Sequence, residues 1–115
     1  MLDAKIIIVV AADQGLRRSV AFALEVEGHP TESYDTVQNA EASCQEALCT
    51  ILDDEILKSE TLAATRLLDN LGRRAVLLVD GLSALQPRAN YTTLTKPFSG
   101  ADLLGVVESL IEAAT

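Results

Sequence analysis

Apolar and polar residues alternate between two rhythms along this chain. Lys5–Val10 (Lys-Ile-Ile-Ile-Val-Val) is a continuous β-branched run and predicts a central parallel strand covered on both faces. Asp13 follows where a helix N-cap belongs. Leu16, Val20, Ala23 and Leu24 then recur at helical spacing, and Phe22 and Val26 widen the apolar stripe. Gly28 ends that helix and Pro30 prevents its resumption. Thr31–Tyr34 reads as a short, polar edge strand. Asp35 with Gln38 three residues on makes a capping-box pattern, predicting a second helix over about 36–46.

The stretch Ala47–Asp54 (Ala-Leu-Cys-Thr-Ile-Leu-Asp-Asp) is a short apolar run that ends in carboxylates. It predicts a buried third strand running to Leu52, with acid at the rim of the sheet. Asp54 and Glu55 read as a solvated turn. A helix then carries Leu67, Leu68 and Leu71 on one side and stops at Gly72. Ala75–Val79 is a fourth buried strand and Thr92–Thr95 a fifth. Ser99 with Asp102 caps a last helix whose Leu103, Val107, Leu110 and Ile111 share a face. Between the last two strands Gly81–Tyr91 shows one turn of apolar pattern at most, so a short or irregular connection is expected there. Strand and helix alternate throughout, which implies a parallel sheet wrapped on both sides. In such sheets ligands gather outside the carboxyl ends of the strands, so Asp53 becomes the centre of any site.

Composition narrows the function. At 115 residues, 49% hydrophobic, residues 1–115 form one domain with a packed core. A net charge of −8 argues against nucleic-acid binding by this domain, and 3% aromatics leave no stacking platform for bases. No run approaches the ~20 apolar residues of a membrane span, and the opening Met-Leu-Asp-Ala-Lys lacks a basic export region. Cys44 and Cys49 have no metal-type spacing, and with no export signal they point to a reducing cytoplasm. Cys49 alternates into a buried strand, Cys44 sits on a helix, and His29 reads as a plain surface histidine. No phosphate-loop or dinucleotide glycine pattern occurs.

Three pieces together carry a family resemblance: Lys5–Val10 followed by the Leu16-Arg17-Arg18 helix, Asp53 closing the third strand, and Lys96-Pro97-Phe98 after the fifth. With them the chain resembles, over almost all its length, a response-regulator receiver domain, the phosphoacceptor module of two-component signalling. The resemblance implies a flavodoxin-like three-layer α/β sandwich with five strands in order 2-1-3-4-5, within which the Gly81–Tyr91 stretch leaves a shortened or irregular fourth helix region. It places the phosphoacceptor at Asp53 and a phosphoryl-orienting lysine at Lys96, and it makes a cis Lys96–Pro97 bond a candidate.

Several positions depart from the family pattern. Where the family carries a pair of acids that hold Mg²⁺ with the phosphoacceptor, this chain has Ala11 and Ala12. Each charged partner lost removes roughly 1.5–3 kcal/mol. Asp13 and Asp53 remain as metal candidates, with Asp54 beside them, although Asp13 also fits a helix cap. The switch position that normally offers a hydroxyl to the phosphoryl group is Asp80, and the usual aromatic position is Thr93, with Tyr91 two residues earlier. An ionised carboxylate cannot donate, and at ~5 Å and an effective dielectric near 20 it repels a phosphoryl group by several kcal/mol.

The expected function is therefore an atypical receiver, a pseudo-receiver, with no cofactor and no enzymatic activity beyond at most self-phosphorylation on Asp53. It would act through a protein partner such as a histidine kinase or an output domain, or as a homodimer, using the last helix with the fifth strand or the first helix. Asp53 is then a salt-bridged acid, and Lys96 neutralises Asp53 or Asp80. The alternatives are a competent phosphoacceptor, with Mg²⁺ held through Asp13, and a small-molecule-binding regulatory domain at the same sheet edge.

Overall fold

A computed structural model describes residues 6–80 and 91–114. Its five strands, β1 (Ile7–Val10), β2 (Thr31–Tyr34), β3 (Cys49–Asp53), β4 (Ala75–Asp80) and β5 (Thr92–Lys96), form one parallel sheet in the order β2-β1-β3-β4-β5. Helices α1 (Gln14–Val26), α2 (Val37–Cys44), α3 (Asp54–Ser59), α4 (Thr61–Leu71) and α5 (Gly100–Ala114) cover both faces. This is the wrapped parallel sheet that the alternating pattern implies, in the flavodoxin-like strand order that the resemblance implies. The expected irregular connection over 81–90 lies outside the described residues.

The strand period sorts the core into two layers. Ile8, Val10, Leu52, Leu77 and Val79 point to one face, where α2, α3 and α4 close over them with Val37, Ile56 and Leu67. Ile7, Val9, Ile51, Val76 and Leu78 point to the other, against Val20 and Leu24 of α1 and Leu103 and Val107 of α5. Strands β1, β3 and most of β4 are buried on both faces, so their sequences are largely apolar, with Thr50 and the terminal Asp53 as the buried polar exceptions in β3. The edge strands β2 and β5 are only partly buried, and their sequences are correspondingly polar. Cys44 and Cys49 belong to opposite layers, so no disulfide joins them.

Most helix ends follow the sequence pattern. Asp13 caps α1, its Oδ2 accepting from Leu16 N at 2.8 Å. Ser99 and Asp102 make a reciprocal capping box at α5, with Asp102 N donating to Ser99 Oγ at 3.0 Å and Ser99 N to Asp102 Oδ2 at 3.1 Å. Gly28 and Gly72 close α1 and α4 at φ +90° and +56°, a region L side chains avoid.

Four expectations are corrected. The cap of α2 is Thr36, whose hydroxyl accepts from Asn39 N at 3.1 Å, rather than the Asp35–Gln38 box. Thr36 holds the extended backbone that aims its oxygen at the third helical N–H, while Asp35 stands one residue too early and accepts from the Asn39 side chain at 3.2 Å. Helix α2 also ends at Cys44, short of residue 46. Phe22 and Val26 do not widen the buried stripe of α1; they are 68% and 61% exposed on its outer side. His29 is half-buried rather than a free surface residue, with Nε2 4.0 Å from Glu108 Oε2 on α5.

Candidate functional site

The carboxyl ends of β3, β4 and β5 meet at one edge. Parallel register sets Asp80 beside Lys96 and Asp53 beside Leu78, so Asp53 and Lys96 are separated by the width of β4. Two strand spacings amount to roughly 10 Å between the backbones. The lysine side chain crosses over the end of β4 to close that distance. Its ammonium donates to Asp53 Oδ1 at 2.8 Å and to Asp54 Oδ1 at 3.2 Å. The Lys96–Pro97 peptide is cis, as the resemblance implies.

Both carboxylates are buried, Asp53 at 1% exposure and Asp54 at 5%. Asp53 ends β3 and caps α3, its Oδ2 accepting from Glu55 N at 3.3 Å. Asp54 opens α3, and its Oδ2 accepts from Asp80 N at 3.0 Å. Burial pushes the Asp54 carboxyl up, but the Asp80 N–H and the Lys96 ammonium outweigh it and hold the group below its ordinary value. For Lys96, burial disfavours the charge, while Asp53 and Asp54 favour it and raise the pKa above its ordinary value.

Asp54 is the residue that sequence reasoning placed wrongly. It is not in a solvated turn: α3 begins at once after β3, and Asp54 turns inward under Lys96. The available signal was Asp53 at a strand end followed by Asp-Glu and then Ile56 and Leu57, an acidic first turn leading into an apolar helix face. Asp53 and Lys96 are brought together as expected. The second carboxylate on Lys96 is that of Asp54, where the sequence offered Asp80. The Asp80 side chain is exposed at the end of β4, so water reduces its repulsion of a nearby anion toward the bulk value, about 1–2 kcal/mol at ~5 Å. Thr93 is exposed on β5, while Tyr91 is half-buried against the α2–α4 layer.

Magnesium, which the resemblance implies, fits this residue set poorly. The ion requires near-octahedral oxygen ligands. Ala11 and Ala12 supply no carboxylate after β1, Asp13 is turned to cap α1, and the Asp53 and Asp54 oxygens are engaged by Lys96 and backbone N–H groups. The Arg17 guanidinium donates to the carbonyls of Ala11 at 2.7 Å and Ala12 at 3.3 Å, adding positive charge to the same loop. Among the described residues no group of three or more His, Cys, Asp or Glu side chains is placed to hold a metal ion.

Beside Lys96 a cleft of about 650 Å³ opens between α1 and the start of α5, walled by Leu16, Val20, Ala23, Phe98 and Leu103. Asp80 and Lys96 stand at its polar end, and Asp53 does not line it. Among the described residues no helix is long and apolar enough to cross a membrane.

Solved structures place this architecture among response-regulator receiver domains. A receiver protein from Sinorhizobium medicae WSM419 superposes over 100% of both chains with a TM-score of 0.73 at 18% identity. A receiver domain protein from Bacillus halodurans C-125 gives a TM-score of 0.74 at 12% identity, covering 94% of this chain and 97% of the other. The fold is therefore that of a receiver domain, although no family model matches the sequence. The sequence itself is 73% identical over 114 residues to the transcriptional regulator protein FixT of Rhizobium meliloti (strain 1021), covering 99% of each chain. With that identity along its whole length, the chain belongs to the FixT family.

Proposed function

We propose that this domain is an atypical receiver of two-component signalling that acts through protein–protein contact rather than by accepting a phosphoryl group in a magnesium-dependent way. The observation that carries this reading is the state of Asp53, 1% exposed beneath Lys96 with both carboxylate oxygens engaged. A phosphoacceptor must present an oxygen to its donor, and an ion must reach the same oxygens. The paired alanines at Ala11 and Ala12 support the same conclusion, and no cofactor is needed for it. The FixT relative is a transcriptional regulator, which fits a role upstream of gene expression. The domain would work in the cytoplasm, with a histidine kinase or an output domain as partner. The outer face of α1 suits that contact, because Phe22 and Val26 are exposed there.

Intact-mass analysis after incubation with acetyl phosphate and Mg²⁺ tests the proposal. The expected result is no added mass. A phosphoryl adduct mapped to Asp53 and dependent on Mg²⁺ would overturn it in favour of the competent receiver. The cleft supports one further reading, a small-molecule site bounded by Lys96. Ligand-dependent amide shifts around Leu16, Phe98 and Leu103 in the absence of any partner would favour it.

A further inference from the structure

The resemblance to receivers gives a role to Asp53 and Lys96 but none to Asp54, and Asp54 makes the contacts that join three elements. Its backbone is the first residue of α3. Its Oδ2 accepts from the Asp80 N–H at the end of β4, at 3.0 Å. Its Oδ1 accepts from the Lys96 ammonium at the end of β5, at 3.2 Å. The ends of β4 and β5 are also where, in the resemblance, groups would face a phosphoryl group on Asp53.

We propose that Asp54 is a built-in oxyanion: a permanently attached carboxylate that bonds the Asp80 backbone N–H at the end of β4 and the Lys96 ammonium that would otherwise orient a phosphoryl group, and holds the ends of β4 and β5 in one arrangement without modification. A carboxylate suits the part because its two oxygens accept charge-assisted hydrogen bonds in two directions at once. At 5% exposure these bonds face little competition from water. The lock deepens the proposed function, and rests on it, by naming what sets the state of a receiver that is not phosphorylated. The β4–β5 edge is fixed when the chain folds, and a partner meets a surface already in its final form.

NMR of the whole chain tests the lock. In the wild-type protein a scalar coupling is expected between the Asp80 amide nitrogen and the Asp54 carboxylate carbon. Asp54→Ala should speed exchange of the Asp80 amide by about tenfold or more relative to the rest of the sheet, and should shift amides along β4 and β5. Asp54→Asn keeps one acceptor oxygen and should fall between the two. Leu67→Ala is the control, a loss of packing in the α2–α4 layer that should raise exchange broadly without singling out Asp80. Absence of the coupling in the wild type overturns the lock, and this measurement needs no variant to fold. Asp80 exchange in Asp54→Ala no faster than in Leu67→Ala overturns it as well. A phosphoryl adduct on Asp53 removes the reading on which the lock rests, whereas a missing coupling removes the lock alone.

Discussion

Replacing Lys96 with methionine isolates what the ammonium does at the sheet edge. Methionine keeps most of the side chain's length and apolar contact but leaves the buried carboxylates of Asp53 and Asp54 without their shared cation. Each charge-assisted hydrogen bond lost costs roughly 1.5–3 kcal/mol, so the two together suggest about 3–6 kcal/mol. The Lys96 side chain is 28% exposed, so water can replace part of the lost solvation. A discounted figure of about 2–4 kcal/mol is expected. With an unfolding entropy of about 2.1 cal/mol/K per residue over 115 residues, 3 kcal/mol corresponds to roughly a 12 °C fall in Tm.

The pH dependence gives a sharper test. In the wild type, the lowered Asp54 pKa contributes stability that is complete above the ordinary carboxylate value and is lost as pH falls through the folded one. The raised Lys96 pKa contributes stability that is complete below 10.5 and is lost as pH rises through its folded value. Without Lys96, burial is the largest influence left on Asp54 and pushes its pKa up. The Asp80 N–H still lowers it, so Asp54 titrates higher in the variant than in the wild type, and its ionisation stabilises the variant less. Urea denaturation of both proteins from pH 7 to pH 4 should show the gap between them narrowing as acid is added. A gap under about 1 kcal/mol at pH 7, or one that does not change with pH, would refute the account of Lys96 as the cation that makes this burial tolerable.

Other outcomes follow from local geometry. Thr36→Ala should cost about 1 kcal/mol in urea denaturation because it removes the acceptor for Asn39 N, while Asp35→Ala should cost less than about 0.5 kcal/mol; equal effects would contradict the assignment of the cap. Burial pushes the Cys44 thiol up and the Cys49 thiol up to about 12, so native alkylation at pH 8 should proceed only as fast as the chain opens. A single thiol that reacts rapidly without denaturant would contradict their burial. Phe22→Ser is expected to change Tm by no more than about 2 °C, since the ring is 68% exposed; a large loss of stability would show that it packs against the domain.

The amino-acid sequence alone settled what depends on neighbours along the chain. The β-branched run before Asp13 and the apolar run into Asp53 identify β1 and β3, because a strand covered on both faces has no polar side to show. The Asp13 cap and the Ser99–Asp102 box were legible because caps are bonded within three residues. The Asp35–Gln38 box misled because two adjacent residues, Asp35 and Thr36, can each cap, and only the backbone angle chooses between them. Phe22 and Val26 misled because periodicity does not say how wide a stripe the neighbouring elements will cover.

Tertiary structure decided the site. Asp53 and Lys96 lie 43 residues apart, and whether they touch depends on strand order and on the register of β3, β4 and β5. The same packing turned Asp54 from an apparent surface acid into a buried one bonded to both Lys96 and the end of β4. Burial and charge pairing arise from what folds over a residue, and that comes from distant parts of the chain.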